Sequence, residues 1–148
     1  MKNVQKPEKI HLGKLIEEIK KGRFVIPDFQ REFEWEAWDV RDLIKSIFQD
    51  YYIGTLLLWE VKDDNTKTLA CEPIRGNKVR GNENHIVLDG QQRLTAMYSA
   101  FFSPDVSLSH KKARKATFYV DIQKLESEFE DEAFFYHFGT NKEKYYAD

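Results

Sequence analysis

The chain has only one cysteine, Cys71, and no histidines at metal-ligand spacing. One cysteine excludes an intramolecular disulfide and a multi-cysteine metal site, and low cysteine usage is typical of a reducing compartment. The four histidines are scattered, so we expect no histidine-held metal: His11, His85, His110 and His137. No apolar run approaches the roughly 18 residues of a membrane helix, and the N-terminus lacks the apolar core of a signal peptide. We therefore expect a cytoplasmic protein without membrane attachment.

The chain also lacks an excess of either charge. The formal net charge is −2, so no global basic field attracts the protein to nucleic acid. The densest basic run, at 111–115, is expected to be a solvated loop before a strand. Aromatic residues, by contrast, are plentiful, with 11 Phe, 7 Tyr and 3 Trp. A chain of 148 residues with this composition can bury a proper core, and we expect a single domain over residues 1–148.

The spacing of apolar residues predicts the order of helices and strands. Helices are predicted at 11–21, 36–50 and 91–102, and strands at 23–26, 55–61, 84–88 and 116–121. The strand at 55–61 is expected to be buried on both faces. The polar stretch 62–83 is predicted to be a hairpin-like excursion or a mobile loop. A short helix at 123–130 and an edge strand at 134–138 complete the prediction.

The most informative segment joins the strand at 84–88 to the helix at 91–102 through Asp89-Gly90. The first N–H groups of a helix have no partner within it, and the macrodipole places partial positive charge there. Gly90 allows close approach of a ligand to the backbone, and Arg93 can add a planar, bidentate donor. These features predict a phosphate cradle. The alternative is purely structural, with Asp89 as an N-cap and Gly90 as a turn residue.

A second polar-aromatic cluster follows the first strand, in the segment Pro27-Asp-Phe-Gln-Arg-Glu-Phe-Glu-Trp35. In a binding site, Arg31 would contact a phosphate or a backbone carbonyl, and Gln30 a base edge or sugar. Trp35 would stack on a planar ring. The alternative is that Phe29, Phe33 and Trp35 pack in the core and that Arg31 pairs with Glu32 or Glu34. We favour packing for the three aromatic residues and a functional role for Gln30 and Arg31.

The order of these motifs is more specific than either motif alone. Ile26-Pro27-x-Phe29-Gln30-Arg31-x-Phe33-x-Trp35 is followed by Leu56-Leu57-Leu58-Trp59 and then by Asp89-Gly90-Gln91-Gln92-Arg93-Leu94-Thr95. Over about residues 10–122 the chain resembles the N-terminal domain of the GmrSD family of modification-dependent restriction proteins, within the ParB/sulfiredoxin-like superfamily. The resemblance implies a small α+β fold, with a mixed β-sheet and flanking helices.

The resemblance also implies a function. Such domains are associated with binding and hydrolysis of nucleoside triphosphates, and a C-terminal HNH-type nuclease domain that cuts modified DNA commonly follows. This chain contains no His-Asn-His pattern. We therefore expect an N-terminal fragment of a longer protein, without nuclease activity of its own.

Two departures from the wider superfamily limit what is carried over. Sulfiredoxin-like proteins have a cysteine in the block that here reads Gly90-Gln91-Gln92-Arg93, so reductase chemistry lacks its nucleophile. ParB-like proteins carry Gly-x-Arg-Arg, whereas position 92 is glutamine. Specificity for cytidine triphosphate and clamp behaviour therefore do not transfer.

The leading hypothesis is a nucleotide-binding and hydrolysing module of a prokaryotic anti-phage restriction system, which regulates a DNA nuclease domain. Phosphates would contact the N–H groups of Gly90, Gln91 and Gln92 together with Arg93. Asp89 would hold Mg²⁺ or orient water, Gln91 or Gln92 would position the attacking water, and Gln30 and Arg31 would close the site.

Two further hypotheses belong to other classes. One is a non-catalytic module that senses modified DNA, in which the same arginines grip the DNA backbone; the net charge of −2 counts against it. The other is a protein-interaction scaffold that meets the rest of a longer protein. The sequence leaves open which nucleotide is bound and whether the protein forms oligomers.

Overall fold

The structure, a computed structural model, describes residues 8–61, 69–102, 115–127 and 130–138. The helices are α1 (Leu12–Lys20), α2 (Ala37–Phe48), α3 (Gln91–Phe102) and the single turn α4 (Ile122–Leu125). The strands are β1 (Phe24–Pro27), β2 (Leu57–Glu60), β3 (Cys71–Pro73), β4 (His85–Asp89), β5 (Ala116–Val120) and β6 (Phe134–Phe138), with a 3₁₀ turn at Glu130–Glu132. None of the helices in the described residues is long and apolar enough to cross a lipid bilayer.

The chain divides into two compact units. The first comprises the described residues up to Gln30 and Gly54–Gln91, and the second comprises Arg31–Ile53 and the described residues from Gln92 onward. Helices accompany a small mixed β-sheet, so the α+β class expected from the resemblance is confirmed. The single-domain organisation stays a prediction.

The first unit is built on a four-stranded sheet in the order β2-β4-β1-β3. The central strand β1 runs parallel to β4 and antiparallel to β3, while β2 is antiparallel to β4. All four residues of β1 are buried, as expected of an apolar strand flanked on both sides. The helix α1 buries Leu15 and Ile19 on one face, as its apolar spacing predicts.

The strand β2 corrects one expectation. We expected the run at 55–61 to be buried on both faces, but among the described residues β2 pairs with β4 alone and lies at the edge of the sheet. Leu57 is 58% exposed and Trp59 is 43% exposed. An apolar run does not distinguish a central strand from an edge strand, because sheet order depends on long-range pairing.

The polar stretch after β2 contains a strand that the sequence does not signal. The short strand β3 pairs with β1 in the register Val25↔Pro73 and Pro27↔Cys71. Its three residues are too few to show a period, and pairing with β1 stabilises it. Residues 62–68 of the predicted excursion lie outside the described residues, as do 111–114 of the basic run.

The second unit contains α2, most of α3, and the antiparallel pair β5–β6. The helix α2 begins where the Asp39 carboxylate accepts a hydrogen bond from the Glu36 N–H at 2.8 Å, and it buries the apolar residues Ala37, Val40, Leu43 and Ile44. Phe48 meets Phe134 of β6 edge to face, with 5.4 Å between ring centroids.

The helix predicted at 123–130 is only the short α4, which Asp121 caps by accepting from the Lys124 N–H.

Two glycines near α1 predict opposite effects of the same substitution. Gly22 has φ of +74°, and a Cβ there would lie 2.8 Å from the Val79 carbonyl oxygen. Gly22→Ala should therefore lower the free energy of unfolding by about 2 kcal/mol or more, because it adds backbone strain to a clash. Gly13 lies within α1 with open space around its Cα, so Gly13→Ala should raise stability by about 0.5–1 kcal/mol. Urea denaturation of both variants checks the pair; equal effects would contradict it.

Candidate functional site

The junction between β4 and α3 has the backbone geometry that the sequence predicts. β4 ends at Asp89, Gly90 follows with φ of +96°, and α3 begins at Gln91. A side chain at position 90 would be strained in this left-handed region, so glycine is required for the turn. Gly90 itself is buried, and the first N–H groups of α3 directly follow the end of β4.

Gln30 ties the segment after β1 to the end of β4. Its side-chain nitrogen donates to the carbonyl oxygens of Val87 at 2.7 Å and Leu88 at 3.2 Å. Because β1 and β4 are parallel neighbours, their carboxyl ends lie at the same edge of the sheet. The structure therefore assigns Gln30 a supporting role beside the Asp89-Gly90 turn. Its expected contact with a base edge or sugar stays a prediction.

The turn that carries Gln30 presents an exposed aromatic ring. The Gln30 N–H donates to the Pro27 carbonyl at 3.1 Å, and the Asp28 N–H donates to the Ala70 carbonyl at 3.0 Å. Phe29, in the middle of this turn, is 69% exposed. The expectation that Phe29 packs in the core is therefore wrong, because a residue at the tip of a tight turn points away from the sheet. The signal that could have found it is the turn-forming pair Pro27-Asp28 directly before it.

The other two aromatic residues of this cluster follow the packing interpretation. Phe33 is buried and Trp35 is half-buried, with 6.5 Å between their ring centroids. Trp35, the residue considered for base stacking, thus has part of its surface packed on Phe33. Its role as a stacking residue stays a prediction.

Gln92 is buried in the second unit, and both ends of its amide contact the loop before α2. Its nitrogen donates to the Glu32 carbonyl at 2.9 Å, and its oxygen accepts from the Glu34 N–H at 3.0 Å. A glutamine that satisfies both a backbone acceptor and a backbone donor fixes that loop in place. The amide oxygen and nitrogen of Gln92, which were expected to orient a water molecule, thus bond to the backbone of this loop.

Arg93 makes a comparable contact at the other end of the same segment. Its guanidinium donates to the Ile53 carbonyl at 2.9 Å, and the side chain is half-buried. Gln92 and Arg93, consecutive on α3, therefore hold the loop before α2 and the loop after it. One guanidinium has five N–H donors in a planar fork. Contact of Arg93 with a phosphate stays a prediction.

Arg31 pairs with Glu34 at 3.2 Å, and both side chains are largely exposed. This is one of the two carboxylate pairings considered from the sequence. An exposed ion pair of this kind contributes about 0–1 kcal/mol. Contact of Arg31 with a ligand stays a prediction.

Metal-binding residues are sparse. Among the described residues, no group of three or more His, Cys, Asp or Glu side chains could hold a metal ion. Asp89 lies exposed at the end of β4 and is a single carboxylate. Mg²⁺ is commonly held by one or two carboxylates, with substrate phosphates and waters as the other ligands. A role for Asp89 in holding Mg²⁺ stays a prediction.

Cys71 has the chemistry of a structural thiol. Burial raises its pKa, and the nearby carboxylates of Asp28 and Glu83 raise it further. The thiolate is the reactive form, so these surroundings suppress nucleophilic chemistry at neutral pH. Cys71 is therefore a poor substitute for the nucleophilic cysteine that is absent from the Gly90–Arg93 block.

The second unit also contains an aromatic cavity of about 170 Å³. Residues of α2, α3, β5 and β6 line it, and Arg41 is the charged member of the lining: Arg41, Ile44, Phe48, Ala100, Phe101, Phe118, Tyr119, Val120, Phe134 and Phe135. The Arg41 guanidinium pairs with the neighbouring Asp42 at 2.7 Å. None of the residues considered from the sequence as site residues lies in this lining.

Comparison with known proteins identifies the family of this chain. Residues 12–148 match the family model described as the N-terminal domain of GmrSD restriction endonucleases. The chain is also 34% identical, over 116 residues, to the uncharacterized protein MJ0686 of Methanocaldococcus jannaschii. That match covers 75% of this chain and 20% of the archaeal protein, so the chain spans about a fifth of the length of this relative. The fold, the Asp89–Arg93 junction and the family match agree, and the chain belongs to the GmrSD N-terminal domain family.

Proposed function

We propose that the chain binds a nucleoside triphosphate and hydrolyses it, as a module of a prokaryotic restriction system active against phage DNA. The observation that carries this proposal is the junction between β4 and α3, where Gly90 with φ of +96° leads directly into the first turn of a helix. Such a junction offers backbone N–H groups and the positive end of a helix dipole to an anion. The family assignment adds a link to restriction.

The phosphate groups would be bound by the N–H groups of Gly90, Gln91 and Gln92 and by the Arg93 guanidinium. Asp89 would hold the magnesium ion, which neutralises phosphate charge when it is bound with the nucleotide. Gln91 or Gln92 would position the attacking water; the Gln92 amide also bonds to the loop before α2. Arg31, exposed beside Gln30, would add positive charge toward the phosphates.

The output of this module would be control of a nuclease. The family name associates the domain with restriction endonucleases, and the archaeal relative is about five times as long as the matched region. We propose that nucleotide binding or hydrolysis regulates an HNH-type nuclease domain or subunit, and that DNA is engaged through the full-length protein.

Titration calorimetry tests the proposal. The purified chain is titrated with ATP, GTP, CTP and UTP, each with and without Mg²⁺, and with inorganic tripolyphosphate. We expect saturable binding of at least one nucleotide, strengthened by Mg²⁺, and loss of most of the Mg²⁺ effect in Asp89→Asn. This variant removes the metal-binding charge with little change in shape.

The control is Asp42→Asn, which changes the net charge equally and lies in α2, away from the β4–α3 junction in sequence. Absence of heat with every nucleotide and with tripolyphosphate would overturn the proposal. Binding of a double-stranded DNA probe under the same conditions would then favour the DNA-sensing hypothesis.

A further inference from the structure

We propose that Phe29 stacks on the base of a free nucleotide whose phosphates are bound at the junction between β4 and α3. The inference rests on the proposed function and makes it more specific, because it assigns recognition of the ligand's planar ring to a residue of the first unit. The observation behind it is the exposed ring of Phe29, which lies in a turn directly after the carboxyl end of β1.

The turn at 27–30, here called the Phe29 turn, is restrained by hydrogen bonds to three parts of the chain. Backbone hydrogen bonds join Gln30 to Pro27 and Asp28 to Ala70, and the Gln30 side chain donates to the carbonyls of Val87 and Leu88. These bonds restrain the backbone on both sides of Phe29, whose side chain remains 69% exposed. Because the backbone is already restrained, less conformational freedom is lost when a ligand binds, which favours affinity.

The position of the turn matches the proposed phosphate site. The Phe29 turn follows the carboxyl end of β1, and Gly90 follows the carboxyl end of β4. The two strands are parallel neighbours in the register Val25↔Ile86, and adjacent strands lie about 4.8 Å apart. In open α/β sheets, ligands commonly bind outside the carboxyl ends of the parallel strands. Gly90 and the turn that carries Phe29 therefore follow the ends of neighbouring strands of one sheet. The proposal places the base at this turn and the phosphates at Gly90.

The chemistry of the ring fits a base. Stacking on an aromatic side chain accepts every base, because each base has a π face. The inference therefore predicts that Phe29 increases affinity for all nucleotides that bind, without choosing among them. Selectivity for one base would come from hydrogen bonds that other groups make.

The experiment compares nucleotides with a ligand that has phosphates and no ring. Wild type, Phe29→Leu and Phe29→Trp are titrated with the four nucleoside triphosphates and with inorganic tripolyphosphate in the presence of Mg²⁺. Phe29→Leu should weaken nucleotide binding roughly tenfold to hundredfold and leave tripolyphosphate binding unchanged. Phe29→Trp should retain nucleotide affinity, and its fluorescence should change on binding.

The matched control is Phe138→Leu, which removes another partly exposed ring, on β6; it should leave nucleotide affinity unchanged. Equal nucleotide affinity in wild type and Phe29→Leu would overturn the inference while leaving the proposed function in place. Absence of binding of both nucleotides and tripolyphosphate by wild type would overturn both. A single-stranded DNA oligonucleotide is titrated in parallel; a loss of affinity in Phe29→Leu for this probe alone would assign the ring to DNA and overturn the free-nucleotide inference. Thermal unfolding of each variant verifies that it is folded.

Discussion

Replacement of Gln92 by leucine is expected to lower the free energy of unfolding by about 2–3 kcal/mol, because it leaves two backbone groups without their partner. The Glu34 N–H loses the amide oxygen at 3.0 Å, and the Glu32 carbonyl loses the amide nitrogen at 2.9 Å. Leucine keeps most of the buried volume, so the change isolates the hydrogen bonds from the packing. The midpoint of urea denaturation, with an unchanged slope, measures the loss.

Two companion variants sharpen this test. Gln92→Glu keeps an acceptor for the Glu34 N–H, but it places a carboxylate against the Glu32 carbonyl. It should therefore also destabilise the protein, and more strongly at pH 7 than at pH 4, where the carboxyl group can regain a proton. Gln91→Leu changes the neighbouring, half-buried glutamine and should alter stability by less than about 1 kcal/mol. If Gln92→Leu kept wild-type stability and lost only hydrolysis, Gln92 would act in the chemistry rather than in holding the loop.

Arg93→Ala should weaken binding of both nucleotides and tripolyphosphate at least a hundredfold, which corresponds to about 2.7 kcal/mol. The guanidinium is a charged, multiply bonding donor in the first turn of α3, and charge-assisted contacts of this kind are the strong ones. The same substitution removes the bond to the Ile53 carbonyl, so stability should also fall, by about 1–2 kcal/mol. Calorimetry and urea denaturation measure the two effects separately.

The controls distinguish a local contact from a change in overall charge. Arg93→Lys keeps the charge but loses the planar fork, and we expect affinity between those of wild type and Arg93→Ala. Arg41→Ala removes a cation that lines the aromatic cavity of the second unit and should leave phosphate binding intact. Equal losses in Arg93→Ala and Arg41→Ala would contradict a cradle at α3. An unfolded Arg93→Ala accompanied by full affinity in Arg93→Lys would show that the planar fork is not needed for binding.

Local patterns were the most reliable part of the sequence interpretation. The apolar stripe of α2 places Val40, Leu43 and Ile44 in the core, and the Asp89-Gly90 pair marks the end of β4. Both depend on residues a few positions apart, where spacing reports directly on one face of an element. The glycine at position 90 is likewise predicted locally, since the tight turn requires it.

The features that the sequence did not reveal depend on long-range contacts. β3 forms because it pairs with β1 more than 40 residues earlier in the chain, and β2 is exposed because of its place in the sheet. The contacts of Gln92 with Glu32 and Glu34 span about 60 residues. A polar residue of a motif, such as Gln92, has the same appearance in the sequence whether it contacts a ligand or a distant loop. Only the folded structure distinguishes these two roles.

The exposed edge formed by β2 bears on how the protein avoids aggregation. An outer strand presents unpaired backbone groups to any other extended chain, and natural proteins commonly protect such strands with lysine, proline or a bulge. β2 has neither lysine nor proline, and Leu57 and Trp59 are exposed on it. Its pairing with β4 becomes irregular between Leu57 and Leu58, and Glu60 is its one charged residue. Among the residues that the structure describes, β2 therefore carries two such protective features, one irregular step and one carboxylate.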